Sequence, residues 1–212
     1  MLSYRAVCYL LGRQIFIYPF TKENLKGIGY NLAVSPHAWS LTKGETLAKT
    51  KIKGKEALIV DAADIALVWT NETIHVGKSI AGTLRSTAMG VMTGFSFVPT
   101  TLCPGWNGVI LTTLKNMSCR VGYLFIDHPF VTIAFDKTDM LIGSVGKDPN
   151  LGGRVGLLRD RLKIQLSDDA LRWIGEDFRQ DIDHLKARIA KERPYDELPY
   201  RDDVDVILQV DH

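Results

Sequence analysis

The chain has 212 residues and carries 26 Lys and Arg against 24 Asp and Glu, a formal charge of +2. This length supports one main core with about seventy residues left for an appendage, and the near-balance of charge, without a basic run, argues against a track for DNA or RNA. Cys8, Cys103 and Cys119 lack paired CxxC spacing and the five histidines form neither HxH nor HExxH, so reduced thiols in a cytoplasmic protein are expected, without a zinc centre.

In chain order, Ser3 precedes a short apolar run, Val7-Cys8-Tyr9-Leu10-Leu11. It is too short to span a bilayer and lacks a signal-cleavage pattern, so it reads as a buried helix capped near Ser3. An extended segment at 15–18 follows and stops at Pro19. From Gly27 to Phe135 the chain alternates short apolar runs with turn residues, and the clearest predicted strands are 57–60, 65–69, 109–114 and 130–135. That density predicts a β-sandwich or closed barrel. Imperfect polar alternation fits strands covered on both faces or at subunit contacts. Gly77-Lys78-Ser79 looks like the end of a phosphate-binding loop, but Glu72 occupies the position of the required upstream glycine, so a plain turn is expected.

After Asp139 the character changes, with Gly143, Gly146, Gly152 and Gly153 loosening the chain. Ser167 then stands before Asp168 and Asp169 as an N-cap with acids facing the helix dipole. Leu171, Ile174, Phe178, Ile182, Leu185 and Ile189 recur at steps of three or four, which predicts one amphipathic helix of about six turns ended by Pro194. Its apolar stripe needs cover, from its own barrel or from copies of itself. Residues 191–203 read as a surface loop and 204–210 as a terminal strand.

Three clusters carry the chemistry: Arg85-Ser86-Thr87-Ala88-Met89-Gly90, Cys103-Pro104-Gly105-Trp106-Asn107-Gly108, and Leu111-Thr112-Thr113-Leu114-Lys115-Asn116. With the opening Leu2-Ser3, the Gly12 and 15–19 stretch, Gly29-Tyr30-Asn31-Leu32 and the segment 59–69, their ordered combination resembles the trimeric dCTP deaminase and dUTPase superfamily, more closely its dCTP deaminase branch. The resemblance runs from Leu2 to Phe135. It implies a mainly β protein: a distorted jelly-roll-like β-barrel with a C-terminal α-helical extension, assembled as a homotrimer with sites at subunit borders. Residues 1–140 would form the barrel domain, and 141–212 a loop, long amphipathic helix and terminal strand appended to it.

By the same resemblance, Arg85, Ser86 and Thr87 lie beside bound substrate, and Trp106, Asn107 and Gly108 lie beneath its deoxyribose. Guanidinium offers a planar fork of donors and hydroxyls add shorter-range ones. A glycine turn lets backbone approach a ligand, and an indole fills a pocket wall. Plainer readings stay open: Arg85 closing a charge pair, Ser86 and Thr87 capping a bend, and Trp106 filling the core.

The departures from the family pattern matter more. The second motif arginine falls at Gly90, the aspartate before Pro-Gly at Cys103, the deaminase glutamate at Thr113, and a frequent aspartate at Asn31. Ser86 and Thr113 are thus degenerate catalytic positions, because neither hydroxyl replaces a general base worth about 10²- to 10⁴-fold. The expected protein binds a deoxypyrimidine nucleotide and lacks ordinary deamination. One alternative is an active dCTP deaminase or dUTP diphosphatase that borrows a carboxylate from another subunit, with Asp61, Asp64, Glu72, Asp127 and Asp136 as candidates. Another is a non-enzymatic trimeric scaffold. No protein-bound cofactor is expected; Mg²⁺ would arrive on nucleotide phosphates. Neither nucleic acid nor membrane is an expected partner.

Overall fold

The computed structural model describes residues 1–138 and 154–202. The glycines at 143, 146, 152 and 153 and the strand expected at 204–210 lie outside the described residues. At the N-terminus the Ser3 hydroxyl accepts the Ala6 N–H at 3.2 Å, capping helix α1 (Tyr4–Leu10), which buries Ala6, Val7, Cys8 and Leu10. Cap and apolar run therefore do what the sequence requires of them.

The strands in chain order are β1 (Ile15–Tyr18), β2 (Leu25–Lys26), β3 (Gly29–Ser40), β4 (Glu45–Thr46), β5 (Lys49–Ile52), β6 (Lys55–Val60), β7 (Ile65–Val76), β8 (Ile80–Ser86), β9 (Phe95–Phe97), β10 (Thr101–Leu102), β11 (Asn107–Asn116), β12 (Gly122–Phe125) and β13 (Pro129–Lys137). The larger sheet runs β10-β8-β13-β3-β7-β11-β9, with β1 added to β7, and β2 and β4 to β3; a smaller sheet runs β12-β6-β5. Residues of β8, β9, β11, β12 and β13 meet around one cavity, so the twisted sheet curls into an open, distorted half-barrel. The mainly β fold expected from the strand density is the one observed.

Alternation along β7 explains why its sequence lacks a polar face. Ala66 and Val68 enter the core inside the curl, while Leu67 and Trp69 join Trp39 and Val109 in a second core beneath the C-terminal helices. A strand buried on both sides has no solvent face to mark. Close packing also fixes Gly29 at the start of β3, where a Cβ would stand 1.9 Å from the Ile133 carbonyl oxygen.

The single long helix expected after Ser167 is instead three: α3 (Asp168–Ile174), α4 (Asp177–Gln180) and α5 (Ile182–Glu192), preceded in chain order by a short α2 (Ala88–Met92) in the barrel region. The Ser167 cap forms, accepting the Ala170 N–H at 3.2 Å, but α3 ends at Gly175. Asp181 opens α5 by accepting the Asp183 and His184 N–H groups at 2.6 and 3.3 Å. The stripe breaks because its members serve different cores. Ile174 packs in the outer cluster, Leu185 and Ile189 pack in the inner one, and Leu171 stays 46% exposed. A straight helix presents one face to one core. The stripe's cover comes from this chain's own barrel. α5 stops at Glu192, with Arg193 left-handed, as Pro194 requires.

Two side chains fasten these helices. Arg179 of α4, 4% exposed, donates to the Asn71 carbonyl at 2.7 Å and the Thr73 hydroxyl at 3.3 Å, pairs with Glu176 at 2.9 Å, and lies 3.9 Å above the Trp173 ring centroid. Of the segment 191–203 expected as a surface loop, the described part is anchored at Tyr195, whose buried hydroxyl accepts the Ile17 N–H and donates to the Ile17 carbonyl at 2.7 and 2.8 Å. Among the described residues no helix is long and apolar enough to cross a membrane.

Candidate functional site

The motif residues gather around two cavities. Ser86 ends β8 opposite Val131, with Arg85 opposite Thr132. Neighbouring strand residues point to opposite faces. Ser86 accordingly lines a 470 Å³ cavity with Gly90, Thr93 and His128, while Arg85 is exposed and has no hydrogen-bond or ion-pair partner among the described residues. The charge pair considered for Arg85 is therefore not formed there. The cavity is otherwise apolar, walled by Met89, Phe95, Phe97, Leu114 and Phe130.

Thr87 takes the plainer role. Its hydroxyl accepts the Gly90 N–H at 3.1 Å and donates to the Phe130 carbonyl at 3.2 Å, capping α2. At Gly90 a Cβ would approach that hydroxyl to 3.2 Å, so an arginine there would crowd the cap.

The second cavity exists because β9 covers only part of β11. Pairing spans Leu114–Asn116, and the Val98 N–H donates to the Thr113 carbonyl at 3.2 Å. Between the earlier part of β11 and the 98–102 segment lies a 260 Å³ pocket lined by Trp106, Thr113, Thr112, Thr100, Thr101 and Arg154, among others. The turn ahead of it closes through Trp106 N–H to the Cys103 carbonyl at 3.1 Å, with Gly105 at φ +77, a left-handed angle that suits glycine. Trp106 is buried in the inner core and also lines this pocket. Its indole N–H is spent on the Gly108 carbonyl at 3.1 Å.

The structure thus divides the predicted residues. Ser86 lines the first cavity, Trp106 and Thr113 the second. Asn107 and Gly108 line neither, the Asn107 amide turning to the Gln180 carbonyl at 3.4 Å. Thr112 lies in the third motif cluster, whereas Arg154 was not singled out from sequence. Thr112 is 3% exposed and its hydroxyl has no hydrogen-bond partner among the described residues. Arg154 places its guanidinium 5.7 Å from the Trp106 centroid, and no spacing rule connects it to the motifs.

The five acids considered as substitutes are placed elsewhere. Asp61 pairs with Lys43, Asp64 accepts the Ser40 hydroxyl at 2.8 Å, Asp127 accepts the Asn71 amide at 2.9 Å, and Asp136 meets the Met1 amino group. Glu72 is buried and accepts the Ala33 N–H at 2.9 Å; burial pushes its carboxyl up to about 8. None of the five lines either cavity. Among the described residues no three His, Cys, Asp or Glu are grouped to hold a metal ion. Among the described residues, the pocket at Thr113 offers donors and hydroxyls that can bind polar ligands, and no carboxylate to move a proton.

No family model matches the chain. The dCTP deaminase of Pyrococcus abyssi (strain GE5 / Orsay) is 30% identical over 151 residues, covering 69% of this chain and 90% of that protein. That of Thermococcus kodakarensis is 32% identical over 131 residues, 60% of this chain and 79% of the relative. The crystal structure of 2'-deoxycytidine 5'-triphosphate deaminase from Agrobacterium tumefaciens superposes with a TM-score of 0.49 at 9% identity, over 63% of this chain and 46% of that one. Carried by the sequence relatives, the conclusion is that this chain belongs to the dCTP deaminase family of the dCTP deaminase and dUTPase superfamily.

Proposed function

We propose that the protein is a dCTP deaminase-like homotrimer that binds deoxypyrimidine nucleotides, with Mg²⁺ carried on their phosphates, and does not perform ordinary deamination. In this reading Arg85 and Ser86 of one copy hold phosphate while Trp106 and Thr113 of a neighbour receive the sugar and base. Residues 1–140 supply the barrel and 141–212 remain part of the same domain. The observation that carries the reading is the absence, among the described residues, of any carboxylate lining either cavity.

Binding and turnover separate in one experiment. Calorimetric titration with dCTP and dUTP in Mg²⁺ should show saturable binding, while chromatography of the same mixtures shows neither dUTP formed from dCTP nor diphosphate released from dUTP. Arg85→Ala should weaken affinity about tenfold or more, the loss expected for one charge-assisted contact, with an unchanged thermal midpoint. Rapid deamination by the purified protein would defeat the reading. A second reading, a trimeric scaffold without nucleotide, draws support from α2, which buries none of its residues and leaves Met92 81% exposed. Absence of nucleotide binding would favour it.

A further inference from the structure

A 480 Å³ cavity opens between β1, α5 and the segment 193–201, and it shares no lining residue with either motif cavity. Its walls carry three cations, Lys186, Arg193 and Arg201, against one acid, Asp196, a formal excess of two positive charges. Arg193 occupies Asp196 at 2.5 Å. Lys186 and Arg201 have no ion-pair partner among the described residues. The Lys186 ammonium stands 5.3 Å from the Phe16 ring centroid, and the Arg201 guanidinium donates to the Leu11 carbonyl. Burial lowers the Arg201 pKa from its ordinary value and nearby Arg13 lowers it further, with Asp196 and Asp202 opposing the fall. A partly desolvated cation beside a second cation is a pairing that a bound anion would relieve, and a concave wall of one charge sign concentrates its field on such a ligand.

From this we infer that the cavity is a second binding site, separate from the motif residues, for a small phosphate monoester that carries an aromatic ring. The charge selects the anion. A phosphate monoester bears about −1.5 to −2 at neutral pH, which answers both uncompensated cations, whereas a single carboxylate leaves one of them unpaired. Lysine and arginine donate and accept nothing, and their charge-assisted bonds to phosphate oxygens are among the strong ones. The other walls select the ring. Phe16, Ile189 and Tyr195 give the cavity an apolar side, and the Tyr195 hydroxyl is already bonded to both the N–H and the carbonyl of Ile17, which leaves its ring as the surface a ligand meets. At 480 Å³ the space falls within the roughly 300–1,000 Å³ of small-molecule sites, more than inorganic phosphate alone would fill.

The test titrates the full chain calorimetrically with phenyl phosphate, inorganic phosphate and phenol. Wild type should bind phenyl phosphate saturably and at least about tenfold more tightly than inorganic phosphate, with no saturable heat from phenol. Lys186→Ala and Arg201→Ala should each weaken phenyl phosphate binding about tenfold, the loss of one charge-assisted contact, while Arg85→Ala keeps the wild-type affinity. Lys186 is exposed on α5, so Lys186→Ala should keep the wild-type thermal midpoint and carries the test if Arg201→Ala, which removes the bond to Leu11, does not fold. No saturable binding of phenyl phosphate by wild type, equal affinity for inorganic phosphate, or unchanged affinity in Lys186→Ala overturns the inference. Loss of binding in Arg85→Ala would place the phosphate at the motif residues and overturn it as well, leaving the nucleotide reading intact.

Discussion

Glu72 and Thr113 lie on paired strands, β7 and β11, and differ in opposite ways from what proton transfer needs. Glu72 has the carboxyl and no access. It is 3% exposed, bonded to the Ala33 amide, and raised to about 8 first by burial, with Asp127 adding to the rise and Arg179 opposing it. Thr113 has the access, beside an open pocket, and no titrating group. A carboxyl elsewhere in the fold is therefore no substitute for one at the pocket, since general acid–base work requires hydrogen-bond reach of the substrate as well as a suitable pKa.

The largest expected effect breaks that contrast by supplying the missing group. Thr113→Glu should raise metal-free deamination of dCTP by about 10²-fold or more over wild type, the lower end for a positioned acid–base residue; an unchanged rate would show that Gly90 and Cys103 also withhold what turnover needs. Next comes the fastening beside Glu72. Arg179→Ala removes buried hydrogen bonds to Asn71 and Thr73 and the stack on Trp173, and should cost about 2–3 kcal/mol in urea unfolding. A loss under about 0.5 kcal/mol would place it with ordinary surface changes instead.

The smallest effect sharpens the comparison through pH. Glu72 is higher in the folded state, about 8 against an ordinary 4.5. Its contribution is fully present below about 4.5, where both states are protonated, and declines as pH rises through about 8, because the unfolded chain ionises first. Glu72→Gln keeps an oxygen for the Ala33 N–H and cannot ionise. Relative to wild type it should gain on the order of 1–2 kcal/mol between pH 5 and pH 6.5. Parallel urea midpoints across that range would remove the assignment.

Local rules made much of the barrel legible. The cap at Ser3 and the strand at 15–18 appear as read, and the four clearest strand segments lie within β6, β7, β11 and β13. They were read short at their polar ends. On β7 the continuation Thr70, Glu72 and Thr73 is buried by tertiary contacts, such as the Glu72 bond to Ala33, that hydropathy does not register. The twelve residues of β3 were partly hidden by Ser35, Pro36 and His37, and α2 is too short to show a period. At the site, Arg85, Ser86, Trp106 and Thr113 were found through motif order. Arg154 was not, because its place beside Thr112 and Thr113 depends on the gap left where β9 stops short along β11.

What the sequence determined by itself was the inventory: which hydroxyls, rings and cations are present, where helices can be capped, and which acids are missing at Cys103 and Thr113. Those are properties of residues and their near neighbours. Only the tertiary structure decided that the apolar stripe would split into three helices, that Glu72 would be sealed and protonated, and that Arg154 would stand over Trp106. Each depends on how the curled sheet divides one chain between two cores, and desolvation and close approach across that division are set by residues far apart in the chain.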